Sequence, residues 1–433
     1  MEHHMSAAYL DTVLQQRLDR EHWFCTGLGN NVDEEIAWDR DVLQHLMREY
    51  LPASGISGQL PKQIASPQDF LTLVTALFRQ GKGAELPLAN EAICRFLEHH
   101  FHCQRTLGGT GARASRALAT LGFRVLVHLN IVSDTVCDLL ALPTVYTIIG
   151  SEMVKLADVN HLGEAQYAPH FIVQFSEGDE LQVGPERMQC PQSNRIILPY
   201  DEINQNLVLN PSYFHQIFDM RAEVASVVIS GFNAMIDERL LLNRLQEVVQ
   251  ALKPLKSSKI PVYFEDGGYH KPAYKQRVLH QLGSVVDVFG MNEDELRNTV
   301  GSHHKTVDLT DLHSILNGLE WLFEWYNVRN VIVHTKDFAL YYGQDRYDEI
   351  EAGLALANAL AGTRARIGRD GTLDDIHTTL ALPESPQGRI FQQQAQNTIL
   401  NRYLVVSPAR CIAQPSCTIG LGDTFVAGFQ VCF

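Results

Sequence analysis

The sequence Thr418-Ile419-Gly420-Leu421-Gly422-Asp423-Thr424-Phe425-Val426-Ala427-Gly428 lies near the end of the chain. Two glycines before an acid, followed by a run able to start a helix, predict a tight turn in which successive N–H groups converge on one point. The positive N-terminal end of the helix would add to this anion site. A carboxylate beside a phosphate repels it, so its presence there calls for a chemical role. The obvious role is to take a proton from an attacking hydroxyl. The stretch therefore predicts phosphoryl transfer to an alcohol, and the alternative is an ordinary turn with an Asp cap.

Length and charge limit the classes of protein to which this sequence can belong. Its 433 residues, 45% of them hydrophobic, suit one large or two ordinary globular domains with a buried core. The net charge of −15 argues against nucleic-acid or membrane-surface binding, which needs basic surface. Eight cysteines without a Cys-x-x-Cys pair indicate a reducing compartment. With no recognisable signal or membrane-spanning segment, we expect a cytoplasmic protein; its oligomeric state stays open.

Strand and helix patterns alternate regularly from about residue 205. Strands are predicted at 224–230, 260–265, 285–289, 331–334 and 339–342, and helices at 236–252, 272–282, 293–300 and 309–326. This alternation predicts an α/β fold with a mainly parallel central sheet flanked by helices. Residues 34–105 are expected to be mostly helical, and 362–400 to be an exposed connection.

Four polar or glycine-rich segments fall at predicted strand ends or before predicted helices. They are residues 30–33, 108–111, 292–295 and 420–423. Ligands of open α/β sheets bind at the carboxyl ends of strands, so these segments are expected to share a function. Asp and Asn beside a tight turn suit recognition of vicinal hydroxyls, and a double glycine lets a ligand approach backbone amides. Taken one at a time, each segment also reads as an ordinary helix cap or turn.

This set of segments resembles the ribokinase-like superfamily, and within it the ADP-dependent glucokinase and phosphofructokinase branch. Asp423 lies only ten residues from the end of the sequence, and 74 residues separate Asp33 from Gly108, where that branch inserts a large lid. The stretch from Val331 to Phe338 resembles the strand near the nucleotide in the same branch.

The resemblance implies a catalytic role for the opening motif. Asp423 would be the base that activates the sugar hydroxyl, and the amides of Gly420, Leu421 and Gly422 would receive the transferred phosphoryl group. Arg195 matches a family arginine that would neutralise phosphate charge. The nucleotide, ADP as phosphoryl donor, would be bound by His334 and Thr335 together with Gly420.

The resemblance also implies a divalent cation, Mg²⁺ or a similar ion. Asn292 and Glu295 match the family's Asn-x-x-Glu motif, in which the acid organises Mg²⁺ through water and Asn292 supports it. Glu265 and Asp423 complete the implied metal-binding residues. One departure is visible: the family's His-x-Glu is Tyr263-Phe264-Glu265 here, so the acid is kept and the histidine is lost.

The implied sugar site consists of Asn31 and Asp33, which would hold sugar hydroxyls, and of Gly108 and Gly109, which would line the same pocket. Glu85 falls where the glucokinase group places an acid for a glucose hydroxyl, so the sequence favours glucose over fructose 6-phosphate. The alternative for Glu85 is an exposed loop glutamate.

Two domains are expected. Residues 1–33, 106–159 and 206–433 would form a large ribokinase-like nucleotide-binding domain, and residues 34–105 and 160–205 a smaller α+β sugar-binding lid. Sugar, sugar phosphate and nucleotide are the expected partners. Two alternatives remain: an ATP-dependent sugar or nucleoside kinase of the same superfamily, and a catalytically silent nucleotide or sugar sensor, which the loss of the histidine at Tyr263 keeps open.

Overall fold

The computed structural model of the protein describes residues 6–51, 60–159, 162, 168–398 and 400–433. Over these residues the helices are α1 (Ala7–Leu18), α2 (Arg40–Tyr50), α3 (Pro67–Gln80), α4 (Glu91–His100), α5 (Thr110–Thr120), α6 (Asp134–Leu140), α7 (Glu202–Asn206), α8 (Pro211–Asp219), α9 (Glu238–Ser257), α10 (Pro272–Leu282), α11 (Glu293–Gly301), α12 (Leu312–Tyr326), α13 (Ile350–Ile367), α14 (Leu373–Leu380), α15 (Pro386–Gln396) and α16 (Leu421–Gln430). The strands are β1 (Trp23–Thr26), β2 (Asn31–Ile36), β3 (Ala84–Glu85), β4 (Cys103–Gly108), β5 (Arg124–Val127), β6 (Val145–Ile149), β7 (Glu152–Lys155), β8 (Pro169–Phe175), β9 (Glu180–Val183), β10 (Glu186–Gln189), β11 (Asn194–Pro199), β12 (Val224–Ile229), β13 (Val262–Glu265), β14 (Val288–Asn292), β15 (Asn330–His334), β16 (Phe338–Gly343) and β17 (Tyr403–Pro408).

The chain divides into two compact units. The larger unit comprises Met1–Asn30, Gly109–Leu162 and Asn204–Phe433, and the smaller unit comprises Asn31–Gly108 and Gly163–Ile203. Residues 31–33 and 106–108 were expected in the larger domain, but they belong to the smaller unit. The reason is that β2 and β4 pair antiparallel along their whole length, from Asn31 opposite Gly108 to Ile36 opposite Cys103.

The larger unit is built on a ten-stranded sheet, in the order β17-β16-β15-β14-β13-β12-β1-β5-β6-β7 among the described residues. Neighbouring strands from β15 through β6 are parallel, whereas β16, β17 and β7 are added antiparallel at the two edges. Central strands such as Val224–Ile229 carry aliphatic side chains on both faces, as expected for parallel strands covered by helices on each side. The predicted α/β fold with a mainly parallel sheet is confirmed.

The smaller unit has a five-stranded mixed sheet in the order β3-β11-β8-β2-β4 and, within the described residues, a separate hairpin of β9 and β10. Helices α2, α3 and α4 pack their apolar side chains with Phe171, Val173 and Phe175 of β8 into one core. The expectation that residues 34–105 are mostly helical is confirmed over the described part of this stretch by α2, α3 and α4, and the strands β2 and β4, which flank the helices, were not expected. These strands pair through polar side chains, such as Arg105 with Glu34 at 2.8 Å. Their sequences therefore lack the alternation of apolar and polar residues that marks a strand.

Residues 362–400 were expected to be an exposed connection, and this expectation is wrong. The segment contains the end of α13 and all of α14 and α15. Ser385 caps α15, and Pro386 follows at its first position, a standard helix start. The strand expected at 285–289 begins three residues later, at Val288. Val285 and Val286 are apolar and buried like strand residues, but they precede β14, so the apolar pattern placed the strand start too early.

Helices α13 and α16 are in main-chain contact. A Cβ on Gly428 would lie 2.5 Å from Cα of Ala357, and a Cβ on Gly353 would lie 3.2 Å from the carbonyl oxygen of Phe429. Because glycine has no side chain, Gly428 and Gly353 allow the two helices to approach this closely. The final helix, which carries Asp423, is therefore held firmly against α13. Among the described helices, none combines the length and apolar character needed to cross a bilayer.

Candidate active site

Asp423 lies in the first turn of α16. The turn before the helix is made by Gly420, whose φ of +68° lies in the left-handed region that favours glycine. An α-helix leaves the N–H groups of its first turn without intrahelical partners, and in α16 these belong to the Gly-Leu-Gly-Asp motif. The Asp423 side chain is 23% exposed, so its carboxylate can meet a ligand at the positive end of the helix.

Two arginines of the larger unit contact the Gly-Leu-Gly-Asp turn. Arg113 of α5 places Nε 3.7 Å from Oδ2 of Asp423, and its side chain is only 5% exposed. Arg364 of α13 donates from Nε to the carbonyl of Ile419 at 2.8 Å. Neither arginine was predicted from the sequence, because each is remote from the motif in the chain and resembles an ordinary helix arginine.

Glu265, at the end of β13, is held by two side chains. Oε2 accepts a hydrogen bond from the Tyr263 hydroxyl at 2.7 Å, and Oε1 lies 2.7 Å from Nε2 of His334. Burial alone would lower the pKa of His334, but the Glu265 carboxylate outweighs burial and raises it, which favours the imidazolium. A methyl group at Gly422 would lie 3.2 Å from Cε1 of His334, and the His334 ring stacks on Phe425 at 4.7 Å. Glu265 and His334 thus adjoin the helix of Asp423.

A second buried acidic group adjoins Glu265. Asp266 forms an ion pair with Nζ of Lys275, and Nζ also donates to the carbonyl of Glu295 at 2.9 Å. Burial, then Asp266, then Glu265 raise the pKa of Glu295 to about 8. Burial likewise raises the pKa of Asp266, although Lys275 opposes the shift. Three carboxylates therefore repel one another around one lysine.

Asn292 and Glu295 form a capping box at the start of α11. The Asn292 side chain accepts from the N–H groups of Asp294 and Glu295, and Oε2 of Glu295 accepts from the Asn292 N–H at 2.8 Å. Asn292 and Glu295 therefore do cap the helix. The raised pKa of Glu295 is not explained by capping, because a helix cap does not require nearby carboxylates.

The donor set of this acidic group fits a hydrated magnesium ion. Mg²⁺ prefers oxygen ligands and keeps several of its waters. Among the described residues, no three His, Cys, Asp or Glu side chains are placed to coordinate one ion directly. The buried Asp266 carboxylate already has the Lys275 ammonium as the partner of its Oδ2. Glu265, Asp266 and Glu295 therefore suit a cation held through water rather than by direct bonds.

Asn31, Asp33 and Gly108 meet in the smaller unit. Nδ2 of Asn31 donates to Oδ1 of Asp33 at 2.5 Å, and a side chain at Gly108 would collide with both residues. Both Asn31 and Asp33 are nearly buried. Gly109 follows at the start of the next segment of the larger unit, with a φ of +88°.

Glu85 and Arg195 lie on neighbouring strands of the same unit, where Glu85 stands opposite Ile197 of β11. Although the Glu85 side chain reaches solvent, loss of water around it raises its pKa, while His170 and Arg195 oppose that shift. His170 pairs with Asp201 at 2.8 Å. Burial disfavours its charge, but Asp201, Asp33 and Glu85 outweigh burial and raise the His170 pKa. His170 and Asp201 were not predicted from the sequence, since neither belongs to a recognisable motif.

Thr335 is placed in the turn between β15 and β16, where its Oγ1 accepts from the N–H groups of Asp337 and Phe338. A cavity of about 530 Å³ lies elsewhere in the larger unit, between α13, α15 and β17. It is lined by residues such as Asn358, Arg389 and Ser407, and by none of the residues predicted to bind nucleotide.

Comparison with known proteins decides the family. A model of the ADP-specific phosphofructokinase/glucokinase conserved region matches residues 24–431. This chain belongs to the ADP-specific phosphofructokinase/glucokinase family. The family predicted from the Gly-Leu-Gly-Asp motif and its companions is thereby confirmed.

Relatives within the ADP-specific phosphofructokinase/glucokinase family carry both names. The chain is 23% identical to an ADP-specific phosphofructokinase of Thermococcus zilligii, covering 93% of this chain and 94% of the relative. It is also 23% identical to an ADP-dependent glucose/glucosamine kinase of Pyrococcus abyssi, covering 87% of each.

Solved structures with the same fold include an ADP-dependent kinase in complex with fructose 6-phosphate and ADPβS. Its TM-score is 0.79 at 17% identity, covering 100% of this chain and 98% of that chain. A phosphofructokinase from Pyrococcus horikoshii with AMP gives a TM-score of 0.77 at 18% identity, covering 95% and 97%. At this identity the likeness establishes the fold.

Proposed function

We propose that this protein transfers the terminal phosphoryl group of ADP to a hydroxyl of a hexose. The observation that carries the proposal is the position of Asp423. Its side chain is partly exposed in the first turn of α16, beside the main-chain N–H groups that have no partner within the helix. Membership of the ADP-specific phosphofructokinase/glucokinase family supports it. AMP and a phosphorylated sugar are the products.

In the proposed step, Asp423 accepts the proton of the attacking sugar hydroxyl. A bond forms between that oxygen and the β-phosphorus, and the bond to the oxygen bridging the two phosphates breaks, so that AMP leaves with the bonding electrons. The amides of Gly420, Leu421 and Gly422 stabilise the charge on the migrating group. Arg195 is proposed to neutralise phosphate charge, and His334 and Thr335 are proposed to contact the nucleotide.

Mg²⁺ is proposed as the cation, and Glu265, Glu295 and Asp423 are the residues that would hold it. When bound, such a cation neutralises charge on the phosphate oxygens. The contribution of the protein is the arrangement of the carboxylates: Tyr263 and His334 fix Glu265, and Asn292 fixes Glu295. Because Tyr263 supplies a hydrogen bond to Glu265, loss of the family histidine does not leave this acid unsupported.

Glucose is the preferred acceptor. Asn31 and Asp33 present a fixed, nearly buried amide and carboxylate to vicinal hydroxyls, with Gly108 packed against both, and Gly109 is proposed to line the same pocket. Glu85 adds an acid, which suits a neutral sugar and repels a phosphate. Fructose 6-phosphate is the second candidate, because the raised His170 pKa favours an imidazolium that would attract a substrate phosphate. We further propose that the smaller unit acts as a lid that excludes water during transfer.

The direct test is a coupled assay of sugars and sugar phosphates with ADP and Mg²⁺, run beside the same assay with ATP. We expect AMP and glucose phosphate from ADP. Turnover with ATP alone would remove the ADP assignment in favour of an ATP-dependent kinase.

Asp423→Asn tests the catalytic base. We expect its kcat to fall by about 10²- to 10⁴-fold with little change in KM. Asp374→Asn, which changes an exposed acid in the first turn of α14, is the matched control and should be unaffected. A wild type that binds ADP or sugar but phosphorylates nothing, with unchanged affinity in Asp423→Asn, would identify a sensor.

A further inference from the structure

The peptide between Ile419 and Gly420 carries the first of the N–H groups proposed to receive the phosphoryl group, and it lies outside α16. The hydrogen bonds of the helix begin one peptide later, where the Gly420 carbonyl accepts from the N–H of Thr424 at 3.1 Å. Gly420 has a φ of +68°, and glycine places little restriction on the peptide that precedes it. The helix therefore does not fix the direction of the Gly420 N–H, and another contact has to fix it.

Arg364 of α13 supplies that contact. Its Nε donates to the Ile419 carbonyl at 2.8 Å, and its side chain is only 8% exposed. Sγ of Cys417 lies 3.5 Å from the same oxygen. The peptide between Ile419 and Gly420 is trans, so its C=O and N–H groups point in opposite directions. A bond that holds the Ile419 carbonyl towards Arg364 thus directs the Gly420 N–H away from Arg364.

Asp370 holds the Arg364 side chain in this position. Nη1 of Arg364 donates to Oδ1 of Asp370 at 3.2 Å, and Nε of Arg116 on α5 donates to Oδ2 at 2.9 Å. The Asp370 side chain is only 9% exposed. Because a guanidinium presents its N–H groups in one rigid plane, the bond from Nη1 also restricts the direction of Nε. A buried cation whose charge is matched by Asp370 is therefore aimed at a main-chain carbonyl.

We propose that Arg364 is a positioning residue, which fixes the peptide between Ile419 and Gly420 so that the Gly420 N–H faces the β-phosphoryl group of ADP. Arg364 acts through the main chain and does not touch the nucleotide. This inference rests on the proposed function, because it takes the Gly420 N–H as a donor to the migrating group. Removal of a preorganised donor of this kind typically lowers kcat by about 10²- to 10³-fold, and a donor that is present but free to turn should cost less.

The test compares the binding of ADP and of AMP, each with Mg²⁺, to the full-length protein by calorimetry, since only ADP carries a β-phosphate. Arg364→Gln should weaken ADP binding by about five- to tenfold and change AMP binding by less than about twofold. Its kcat should fall by about tenfold, with the KM for the sugar unchanged. Arg366→Gln removes an arginine of the same helix that donates to Thr379 and Asp375 of α14, and it should match the wild type.

The preference for ADP over AMP separates positioning from a merely structural role, which would change stability alone. Arg364→Lys keeps the charge beside Asp370 and should remain folded. One ammonium nitrogen then replaces two separate donor atoms, so ADP binding should weaken by about two- to fivefold while AMP binding is unchanged.

A wild-type preference for ADP over AMP in either folded variant of Arg364 would overturn the proposal, as would equal losses of ADP and AMP affinity. A wild type that binds ADP without phosphorylating any sugar would contradict the proposed function alone, and the binding comparison would still decide the role of Arg364.

Discussion

The hydroxyl of Tyr263 donates a 2.7 Å hydrogen bond to Oε2 of Glu265, on the carboxylate whose other oxygen faces His334. Tyr263 is fully buried, so no solvent can replace that bond. Tyr263→Phe should lower the free energy of unfolding by about 1.5–3 kcal/mol, the usual worth of a hydrogen bond to a charged group. We also expect a reduced kcat, because Glu265 loses one of its two supports. Denaturant unfolding and steady-state kinetics measure the two effects.

Tyr342→Phe is the matched control for Tyr263→Phe. Its hydroxyl also bonds a carboxylate, that of Glu320, but this pair does not belong to the acidic group around Glu265. Loss of stability without loss of kcat is expected for the control. If Tyr263→Phe retained full kcat and stability, the support of Glu265 by Tyr263 would be dispensable.

Stability should fall as the pH is lowered from 6.5 towards 4 because of His128. Burial lowers its pKa to about 4. Nδ1 lies 2.8 Å from the Leu28 carbonyl, and Nε2 accepts from the Asn210 N–H at 3.0 Å, so both nitrogens are used by the neutral ring. Below pH 6.5 the unfolded chain takes up the proton first, which can cost up to about 3 kcal/mol by pH 4. Denaturant unfolding at several pH values should show a smaller pH dependence for His128→Asn, while His215→Asn, at an exposed site, should match the wild type.

Magnesium affinity should increase with pH. The pKa of Glu295 is raised to about 8 by burial, by Asp266 and by Glu265, so without a cation much of it is protonated at neutral pH. A cation favours the ionised form, and binding therefore releases protons. Calorimetry in buffers of different ionisation enthalpy measures that release. Glu295→Gln should abolish it, whereas Asp294→Asn, an exposed acid of the same turn, should preserve it. Identical proton release in all three proteins would rule Glu295 out.

Glu85 should set the acceptor preference. Glu85→Ala removes the acid proposed to bind a glucose hydroxyl and should lower kcat/KM for glucose by about 10- to 100-fold, the worth of one charged hydrogen bond. Activity with fructose 6-phosphate should be unchanged or higher. Glu186→Ala, which removes an acid paired with Arg79 elsewhere in the smaller unit, should change neither activity. A glucose preference that survived in Glu85→Ala would place specificity in other residues.

The sequence carried most of the information about the larger unit. Strands such as Asn330–His334 are short apolar runs, and helix starts such as Pro272 are marked by proline, so periodicity and turn chemistry located them. It carried less about the smaller unit. Strands β2 and β4 meet through pairs such as Glu34 with Arg105, and a polar strand has no hydrophobic period to recognise.

The candidate site shows the same division. Motif residues such as Asp423 and Glu295 were identifiable because each lies in a local pattern of glycine, asparagine and acid. Arg113, Lys275 and His170 were not, since each acquires its meaning from a partner far away in the chain. Partners that lie far apart in the chain form no local sequence motif, so a single sequence does not show that they pair.

The glycine at position 428 has a consequence for anyone who wishes to redirect this protein to another sugar. The helix bearing Asp423 is seated where the backbones at Gly428 and Ala357 come into close contact, and neither of these residues is proposed to hold the acceptor. A mutant library that introduces larger side chains at the contact between Gly428 and Ala357 would displace the Asp423 carboxylate and reduce activity without changing which sugar is bound. Substitutions are better confined to positions such as Glu85 and its neighbours on β11, with Gly428 and Ala357 left unchanged.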